Sequence, residues 1–163
     1  MPQNQKQLPA PALVHALENI PPGDALDLAC GAGRHAIYLT TKGWRVTAVD
    51  SSAEALARLR EEAGGLDIAM RRLDLEKHEF AIKPDAYDLI VTWLYLQRDL
   101  FPHIRNGVRK GGLAAAAVLM HGRFAAQPGE LQQVFKGWDI LHYRENEDVS
   151  EIIAKKKTAS ERL

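Results

Sequence analysis

The chain has 163 residues and equal numbers of acidic and basic side chains, 21 of each, so its formal net charge at pH 7 is zero. This balance excludes a global electrostatic attraction to nucleic acid or to an anionic membrane surface. The single cysteine cannot form an internal disulfide, the first residues are polar, and no apolar run approaches the length of a membrane span. We therefore expect a single cytoplasmic domain over residues 1–163, with flexible ends at 1–9 and 158–163.

The first half of the chain alternates between helical and strand patterns. Apolar residues recur at helical spacing in three segments, and each segment ends at a glycine or at a Pro-Pro-Gly turn. Ser51 and Glu54 form a capping box at the start of the third helix. Helices are predicted over 12–19, 34–42 and 52–63, and strands over 25–30, 46–50 and 68–73.

The second half follows the same alternation until its last two strands. Residues 76–84 have no clean period and predict a loop. A helix marked by apolar residues from Leu100 to Val108 is expected to stop at Gly111. The final connection, 144–150, is too short for a helical crossover, so the last two strands are predicted to be antiparallel. Strands are predicted over 85–94, 113–119, 138–143 and 151–155, and a short helix over 128–135.

The segment DLACGAGRH, residues 27–35, carries the strongest functional signal. It predicts a strand that runs into a glycine turn opening a helix. Gly31 and Gly33 lack a Cβ, so the backbone there can approach a ligand, and the first N–H groups of the helix favour a carboxylate. Asp50 ends the next strand, where an acid can accept hydrogen bonds from both ribose hydroxyls. Together these features predict a site for an adenosyl ligand.

A dinucleotide site is the main competitor, because Gly31, Gly33 and Ala36 also satisfy the G-x-G-x-x-G/A pattern. Asp27 argues against it, since an acid inside the strand needs a polar partner such as an ammonium group. Asp74 follows the third strand, in a position to receive an adenine amino group. We therefore favour S-adenosylmethionine (SAM) over a dinucleotide, and keep a dinucleotide-dependent oxidoreductase as an alternative.

From Pro22 to about Lys157 the sequence resembles the small class I SAM-dependent methyltransferases, and within them the tellurite-resistance-like subgroup. The resemblance implies an α/β, Rossmann-like, doubly wound sheet of seven strands in the order 3-2-1-4-5-7-6, with strand 7 antiparallel and helices on both faces. The motifs that carry it are LDLACGAGR at 26–34, VDSS at 49–52, YLQR at 95–98, and PGEL at 128–131 followed by GW at 137–138 and LHY at 141–143.

The resemblance also implies a set of cofactor-binding residues. The methionine part of SAM would lie on the first turn, the ribose on Asp50, and the adenine on Asp74 and the Leu75 backbone. Thr92 and Trp93, at the end of the fourth strand, would border the transferred methyl group. The full predicted set is Asp27, Ala29, Cys30, Gly31, Gly33, Asp50, Ser51, Asp74, Leu75, Thr92 and Trp93.

The predicted reaction is methyl transfer by in-line displacement to a small-molecule acceptor such as a thiol or a metalloid oxyanion, and positioning can supply much of the acceleration. No residue is assigned as a catalyst, and no metal ligands are expected. Four residues lie just beyond the carboxyl ends of strands four and five, on the acceptor side: Tyr95, Arg98, His121 and Arg123. Arg98 and Arg123 would pair with an anionic acceptor, and His121 would act as a base.

Two departures from the subgroup leave a second alternative open. The pattern leads us to expect an acid and a threonine where this chain has Ala117 and Val118, and the segments that cover the acceptor pocket are short. An open pocket would suit a group presented by a partner protein. The alternative is therefore a module that binds SAM or S-adenosylhomocysteine without turnover, as a sensor or as a subunit of a complex.

Overall fold

A computed structural model describes residues 7–158 and contains one seven-stranded sheet in the order β3-β2-β1-β4-β5-β7-β6. Strands β1 to β5 are parallel to one another, whereas β7 is antiparallel to both β5 and β6. The predicted strand order and the antiparallel hairpin are confirmed. The strands are β1 Asp24–Leu28, β2 Arg45–Asp50, β3 Ala69–Arg72, β4 Tyr87–Trp93, β5 Val108–Leu119, β6 Asp139–Glu145 and β7 Val149–Lys155.

Helices cover both faces of the sheet, because the strands alternate apolar side chains between two buried clusters. In β4, for example, Leu89 and Val91 face the cluster that contains α1, α2 and α3, and Ile90 faces the cluster that contains α4 and α5. The helices are α1 Pro11–Ala16, α2 Arg34–Thr41, α3 Ala53–Ala63, α4 Phe101–Gly107 and α5 Glu130–Val134, with a single 3-10 turn at Arg98–Leu100.

The pairing of β1 with two strands brings the predicted site together. Leu28 lies opposite Val49 of β2 on one side and opposite Thr92 of β4 on the other. From β1 the chain proceeds outward to β2 and β3 in one direction, and β4 begins the other half of the sheet. The carboxyl ends of β1, β2 and β4 therefore meet at a topological switch point, where open α/β sheets bind ligands.

The helix predicted as far as Gly111 is shorter than expected. It ends at Gly107, and Val108 begins β5 opposite Tyr87. The register between β4 and β5 shifts after this pair. Gly111 and Gly112 therefore lie inside an irregular strand rather than at the end of a helix. A Cβ on Gly112 would stand 2.8 Å from the carbonyl oxygen of Asp88. This close approach of two backbones explains the glycine there.

The N-cap of α3 is also displaced from the predicted position. Ser52, not Ser51, caps the helix, and its Oγ accepts the backbone N–H of Ala55 at 3.1 Å. Residues 76–84 contain no helix or strand, as predicted. No helix in the described part of the chain is long and apolar enough to cross a membrane. Most of the two ends predicted to be flexible, 1–6 and 159–163, lies outside the described residues.

Candidate functional site

A cavity of about 400 Å³ lies at the switch point, within the range of small-molecule sites. Its walls come from the carboxyl ends of the first four strands and from the loops that follow them. Six of the predicted cofactor residues line it: Ala29, Asp50, Ser51, Asp74, Leu75 and Trp93. Leu73, Glu76, Leu94 and Tyr95 complete the lining. The predicted acids at the ends of β2 and β3 therefore do face one shared space.

The glycine turn after β1 is held in a left-handed conformation. Ala29, Gly31 and Gly33 have φ angles of 52°, 58° and 80°. A Cβ built on Gly31 would meet nothing within 4 Å, whereas one on Gly33 would collide with the Leu59 side chain of α3. Gly31 therefore leaves open space beside its backbone. Gly33 is required for the packing of the turn before α2 against α3.

Asp50 braces this turn from the neighbouring strand. Its Oδ2 accepts the backbone N–H of Gly31 at 2.9 Å, and its Oδ1 accepts the backbone N–H of Ser52 at 2.8 Å. Each carboxylate oxygen has a second lone pair. Asp50 can therefore hold the loops in place and still accept hydrogen bonds from a ligand in the cavity.

Asp27 lies beneath the turn rather than in the cavity wall. It is 2% exposed, and its Oδ2 has no hydrogen-bond partner among the described residues. Burial raises the pKa of this carboxyl from an ordinary value near 3.8 to about 7, and a hydrogen bond from the backbone of Ala36 opposes that shift. An unsatisfied, deeply buried acid is costly, so this atom is suited to a polar ligand group or a bridging water.

His35 is buried, as Asp27 is, and it was not among the predicted site residues. Its Nε2 accepts the backbone N–H of Ala10 at 3.1 Å, and its ring meets the Trp93 ring edge-on with centroids 5.5 Å apart. Burial lowers its pKa to about 4, so the imidazole is neutral at pH 7. The segment before α1 is thereby tied to α2 beside the turn. The position of a histidine early in α2 gave no signal for this long-range contact.

The loop after β3 combines lining and structural contacts. Asp74 Oδ1 accepts the backbone N–H of Glu76 at 2.9 Å, and the Asp74 N–H donates to Glu79 Oε1 at 2.8 Å. Asp74 therefore caps its own loop while it faces the cavity. The carbonyl oxygen of Leu75 accepts a hydrogen bond from Nε2 of Gln97 at 3.1 Å. Oε1 of Gln97 accepts a hydrogen bond from the Tyr95 hydroxyl at 2.6 Å.

Of the four predicted acceptor-side residues, only Tyr95 lines the cavity. Arg98 donates to both carboxylate oxygens of Glu130, at 2.8 and 3.0 Å. His121 lies 3.5 Å from Asp148 of the β6–β7 turn, and Arg123 stacks over the Phe124 ring. The structure therefore does not bring the predicted anion-pairing arginines and the predicted base together with Tyr95.

The other five predicted cofactor residues lie outside the lining: Asp27, Cys30, Gly31, Gly33 and Thr92. Thr92 is 3% exposed and projects from β4 on the face opposite Trp93. Burial raises the pKa of the Cys30 thiol, so at pH 7 it is not a thiolate nucleophile. Leu73, Glu76 and Leu94 line the cavity but were not predicted; their only sequence signal is that they adjoin predicted site residues.

The charge of the cavity wall has one sign. Asp50, Asp74 and Glu76 are its charged residues, and no lysine, arginine or histidine lines it among the residues the structure describes. The same acids, after burial, raise the pKa of the Tyr95 phenol to about 12. The cavity therefore favours a ligand with positive charge, and Tyr95 enters it as a neutral hydroxyl.

Sequence comparison identifies relatives of the chain. The family model described as "Tellurite resistance protein TehB" matches residues 8–162. A Haemophilus influenzae protein described as a probable S-adenosyl-L-methionine-dependent methyltransferase TehB is 30% identical over 149 residues, which cover 82% of this chain and 52% of that protein. The malonyl-[acyl-carrier protein] O-methyltransferase of Salmonella typhimurium is 28% identical over 135 residues, with the same two coverages of 82% and 52%.

Solved structures share the fold. The crystal structure of TehB from Haemophilus influenzae matches with a TM-score of 0.79 at 26% identity, covering 89% of this chain and 61% of that one. The N-methyltransferase NodS from Bradyrhizobium japonicum, solved with S-adenosyl-L-homocysteine, matches with a TM-score of 0.72 at 16% identity, covering 90% and 84%. This chain spans about half the length of the curated relatives it matches. The predicted resemblance is thus confirmed: the chain belongs to the TehB family and has the class I methyltransferase fold.

Proposed function

We propose that this protein is a SAM-dependent methyltransferase that transfers a methyl group by in-line displacement to a small-molecule acceptor, such as a thiol or a metalloid compound. The main support is the acidic cavity at the switch point, next to a glycine turn whose backbone at Gly31 is open. The names and folds of the relatives support the same reaction class.

The charge of the cavity favours SAM over a dinucleotide. SAM carries a sulfonium and an ammonium group against one carboxylate, so its net charge is positive. A dinucleotide carries a pyrophosphate, which would stand beside Asp50, Asp74 and Glu76 with no lining cation among the described residues. Like charges at short range are unfavourable, so the oxidoreductase alternative loses support.

We infer the following cofactor contacts. Asp50 would accept the ribose hydroxyls with its remaining lone pairs, and Asp74 with the Leu75 backbone would receive the adenine. The glycine turn would hold the methionine carboxylate at the N-terminal end of α2. Asp27, with its unpartnered Oδ2, would accept the ammonium group directly or through water. Thr92 would support, from within β4, the part of the cavity wall that Trp93 forms.

The protein's contribution to the reaction is mostly positional. Bound SAM supplies an electrophilic methyl group on a positively charged sulfur. Trp93 and Tyr95 would form the wall that orients the acceptor and excludes water from it. Aromatic faces that stabilised only the cation would not lower the barrier, because the positive charge on sulfur decreases as the transition state forms. The neutral Tyr95 phenol can donate a hydrogen bond, but it is not a base at pH 7.

One observation favours the alternative of a binding module without turnover. Arg98 and His121, which were predicted to serve the acceptor, face Glu130 and Asp148 instead. Such a module would bind SAM and S-adenosylhomocysteine but methylate nothing. A cytoplasmic location and a partner protein that presents the acceptor both stay predictions.

Calorimetric titration with SAM, S-adenosylhomocysteine and NADH tests the proposal. We expect micromolar binding of the two adenosyl ligands and none of NADH. Asp50→Asn should weaken that binding at least about tenfold, because the amide replaces an acceptor oxygen with a donor. Asp67→Asn, on an exposed residue outside the cavity, is the matched control and should leave the affinity unchanged.

The outcomes separate the candidates. No binding of either adenosyl ligand would reject both the methyltransferase and the binding module. Binding of NADH instead would revive the oxidoreductase. Binding of SAM without methyl transfer to any thiol, amine or metalloid acceptor would favour the module over the enzyme.

A further inference from the structure

We propose that His35 is a positioning residue that holds residues 8–10 and the Trp93 ring against the first turn of α2, so that docking of this segment and binding of the cofactor strengthen each other. This inference rests on the proposed function, in which the methionine part of SAM lies at that turn. His35 does not line the cavity and therefore acts through its neighbours, Ala10 and Trp93.

The hydrogen bond between Ala10 and His35 is buried on both sides. Ala10 is 6% exposed and His35 is 3% exposed, and the Ala10 N–H donates to Nε2 of His35 at 3.1 Å. A buried N–H that loses its acceptor is strongly unfavourable unless the backbone moves out to reach water. The placement of residues 8–10 therefore depends on an acceptor at this position of α2.

The imidazole is in the state that can accept this hydrogen bond. Burial, with a smaller effect of the nearby Arg34 guanidinium, lowers the pKa of His35 to about 4. At pH 7 the ring is therefore neutral, and Nε2 keeps the lone pair that faces the Ala10 N–H. The histidine serves here as a hydrogen-bond acceptor and not as an acid or a base.

Arg34 supplies a second tie to the same segment. Its Nη1 donates to the Leu8 carbonyl at 3.2 Å. Arg34 and His35 are the first two residues of α2 and directly follow Gly33, the N-cap residue of that helix. Residues 8–10 therefore dock on the helical turn whose free N–H groups would receive the methionine carboxylate.

The same imidazole also contacts the cavity wall. The rings of His35 and Trp93 meet edge to face, with centroids 5.5 Å apart and planes inclined by 63°. This arrangement is favourable for aromatic rings and restricts how far Trp93 can turn. Trp93 lines the cavity, so its orientation shapes the space that a ligand enters.

The two contacts of His35 make segment docking and ligand binding depend on each other. Docking of residues 8–10 fixes the first turn of α2 and the imidazole, and the imidazole in turn restricts Trp93. A ligand that contacts this turn and Trp93 therefore orders fewer groups when it binds the docked protein. By linkage, the bound ligand must favour docking by the same factor.

Two substitutions of His35 separate its contacts. His35→Gln offers Oε1 to the Ala10 N–H but removes the ring, whereas His35→Phe keeps a ring beside Trp93 but offers no acceptor. In calorimetric titration, we expect His35→Phe to weaken the binding of S-adenosylhomocysteine at least about fivefold, and His35→Gln to stay within about twofold of the wild type. Wild-type affinity in His35→Phe, or an equal loss in both variants, would overturn the inference.

A third substitution controls for lost stability. Phe135 is fully buried in the cluster that contains α4 and α5, on the opposite face of the sheet from α2. Phe135→Leu should therefore destabilise the protein and still bind S-adenosylhomocysteine as the wild type does. A loss of affinity as large as that of His35→Phe would show that destabilisation alone is the cause, and would overturn the inference.

Hydrogen exchange of the Ala10 amide, followed by NMR, measures docking itself. S-adenosylhomocysteine should slow this exchange at least about threefold in the wild type and in His35→Gln, and should leave it fast in His35→Phe. The reference is the amide of Lys136, which donates to the Gln133 carbonyl at the end of α5 and should not respond to the ligand. A histidine with only a structural role would not produce this response. An Ala10 amide that is insensitive to the ligand in the wild type would overturn the inference.

Fluorine NMR of protein labelled with 5-fluorotryptophan reports on the Trp93 ring, whose signal is assigned by its absence in Trp93→Phe. Loss of the imidazole shifts this signal in any case, so the decisive quantity is its width. The Trp93 signal should broaden or split in His35→Gln and stay sharp in His35→Phe, while the Trp138 signal stays sharp in both. A single sharp Trp93 signal in His35→Gln would overturn the inference.

The binding measurements also separate this inference from the proposed function. Failure of S-adenosylhomocysteine to bind the wild-type protein would reject the proposed function. Equal affinities for the wild type, His35→Gln and His35→Phe would reject the role of His35 while the proposed function stands.

Discussion

Asp50 Oδ2 accepts the backbone N–H of Gly31 at 2.9 Å, so the acid that ends β2 holds the turn that ends β1. Its other oxygen accepts the N–H of Ser52 at the start of α3. One carboxylate therefore fixes two walls of the cavity before any ligand is present. An effect of mutation at this position combines lost ligand contacts with lost support.

Removing this carboxylate should destabilise the protein even without a ligand. Asp50→Ala leaves two backbone N–H groups without their charged acceptor, and we expect a loss of about 1–3 kcal/mol in the free energy of unfolding. Urea denaturation of the ligand-free protein measures it, with Asp67→Ala as the exposed control. Equal stabilities for the two variants would show that Asp50 has no supporting role.

The two glycines of the turn should respond differently to alanine. Both have positive φ, so each substitution incurs a left-handed penalty of about 1–2 kcal/mol. Gly33→Ala also drives a methyl group into Leu59, whereas Gly31→Ala adds one to open space. We expect Gly33→Ala to cost about 1–3 kcal/mol more in urea denaturation.

A second background isolates the steric part of this difference. Leu59→Ala removes the atoms that the new methyl group would meet, at its own cost in core packing. In that background, Gly33→Ala should lose most of its excess penalty over Gly31→Ala. Additive effects of Gly33→Ala and Leu59→Ala would contradict the contact.

Local patterns predicted the alternation of strands and helices, and they predicted the antiparallel final hairpin because the last connection is too short for a helix. The order of the strands in the sheet was implied by the family resemblance. Local patterns also located Asp50 and Asp74, since a carboxyl end of a strand is recognisable where an apolar run stops. The predicted boundaries of helices and strands were wrong where pairing between strands decided them. Val108 looked helical by spacing, but its pairing with Tyr87 across an irregular register places it in β5.

Contacts between distant residues left no signal in the sequence. The bond from Ala10 to His35 spans 25 residues, and the pair of Arg98 with Glu130 spans 32. Periodicity reports which side chains are buried but not which ones meet. This is why the sequence assigned Arg98 to an acceptor and Gly33 to a ligand, while the fold gives each of them a partner inside the protein.

The buried carboxyl of Asp27 should make stability depend on pH. Its pKa is about 7 in the folded protein and lower in the unfolded chain, so between about pH 4 and pH 7 the folded state holds a proton that the unfolded state has released. Its contribution to stability is full below that window and is lost as pH rises through it. The slope is at most about 1.4 kcal/mol per pH unit.

His35 opposes this trend over part of the range. Its pKa is about 4 when folded, against an ordinary value of 6.5, so the unfolded chain gains a proton that the folded state excludes as pH falls. Wild-type stability therefore mixes two opposite slopes. Asp27→Asn removes only the first one. The difference in unfolding free energy, variant minus wild type, should rise from about pH 4 to about pH 7 and then level off. Parallel urea-derived curves for the two proteins would refute this assignment.

Gln97 connects the two sides of the cavity. Its Oε1 accepts the Tyr95 hydroxyl at 2.6 Å, and its Nε2 donates to the Leu75 carbonyl at 3.1 Å. One amide therefore orients an acceptor-side ring and a backbone carbonyl of the adenine-side loop. Its two ends have opposite hydrogen-bonding roles, so no apolar side chain can replace it.

Loss of the hydrogen bonds made by Gln97 should weaken acceptor binding and cofactor binding to different extents. Tyr95→Phe removes one hydrogen bond, worth about 1 kcal/mol, and should raise KM for the acceptor severalfold with little change in the Kd of SAM. Gln97→Met frees both groups, so it should weaken SAM binding as well. Because both substitutions remove the same hydrogen bond, the double variant should have the acceptor KM of Gln97→Met alone. Gln132→Met, on an exposed glutamine of α5, controls for the substitution itself. Strictly additive changes in KM would mean that the two side chains act independently, and that Gln97 does not position Tyr95.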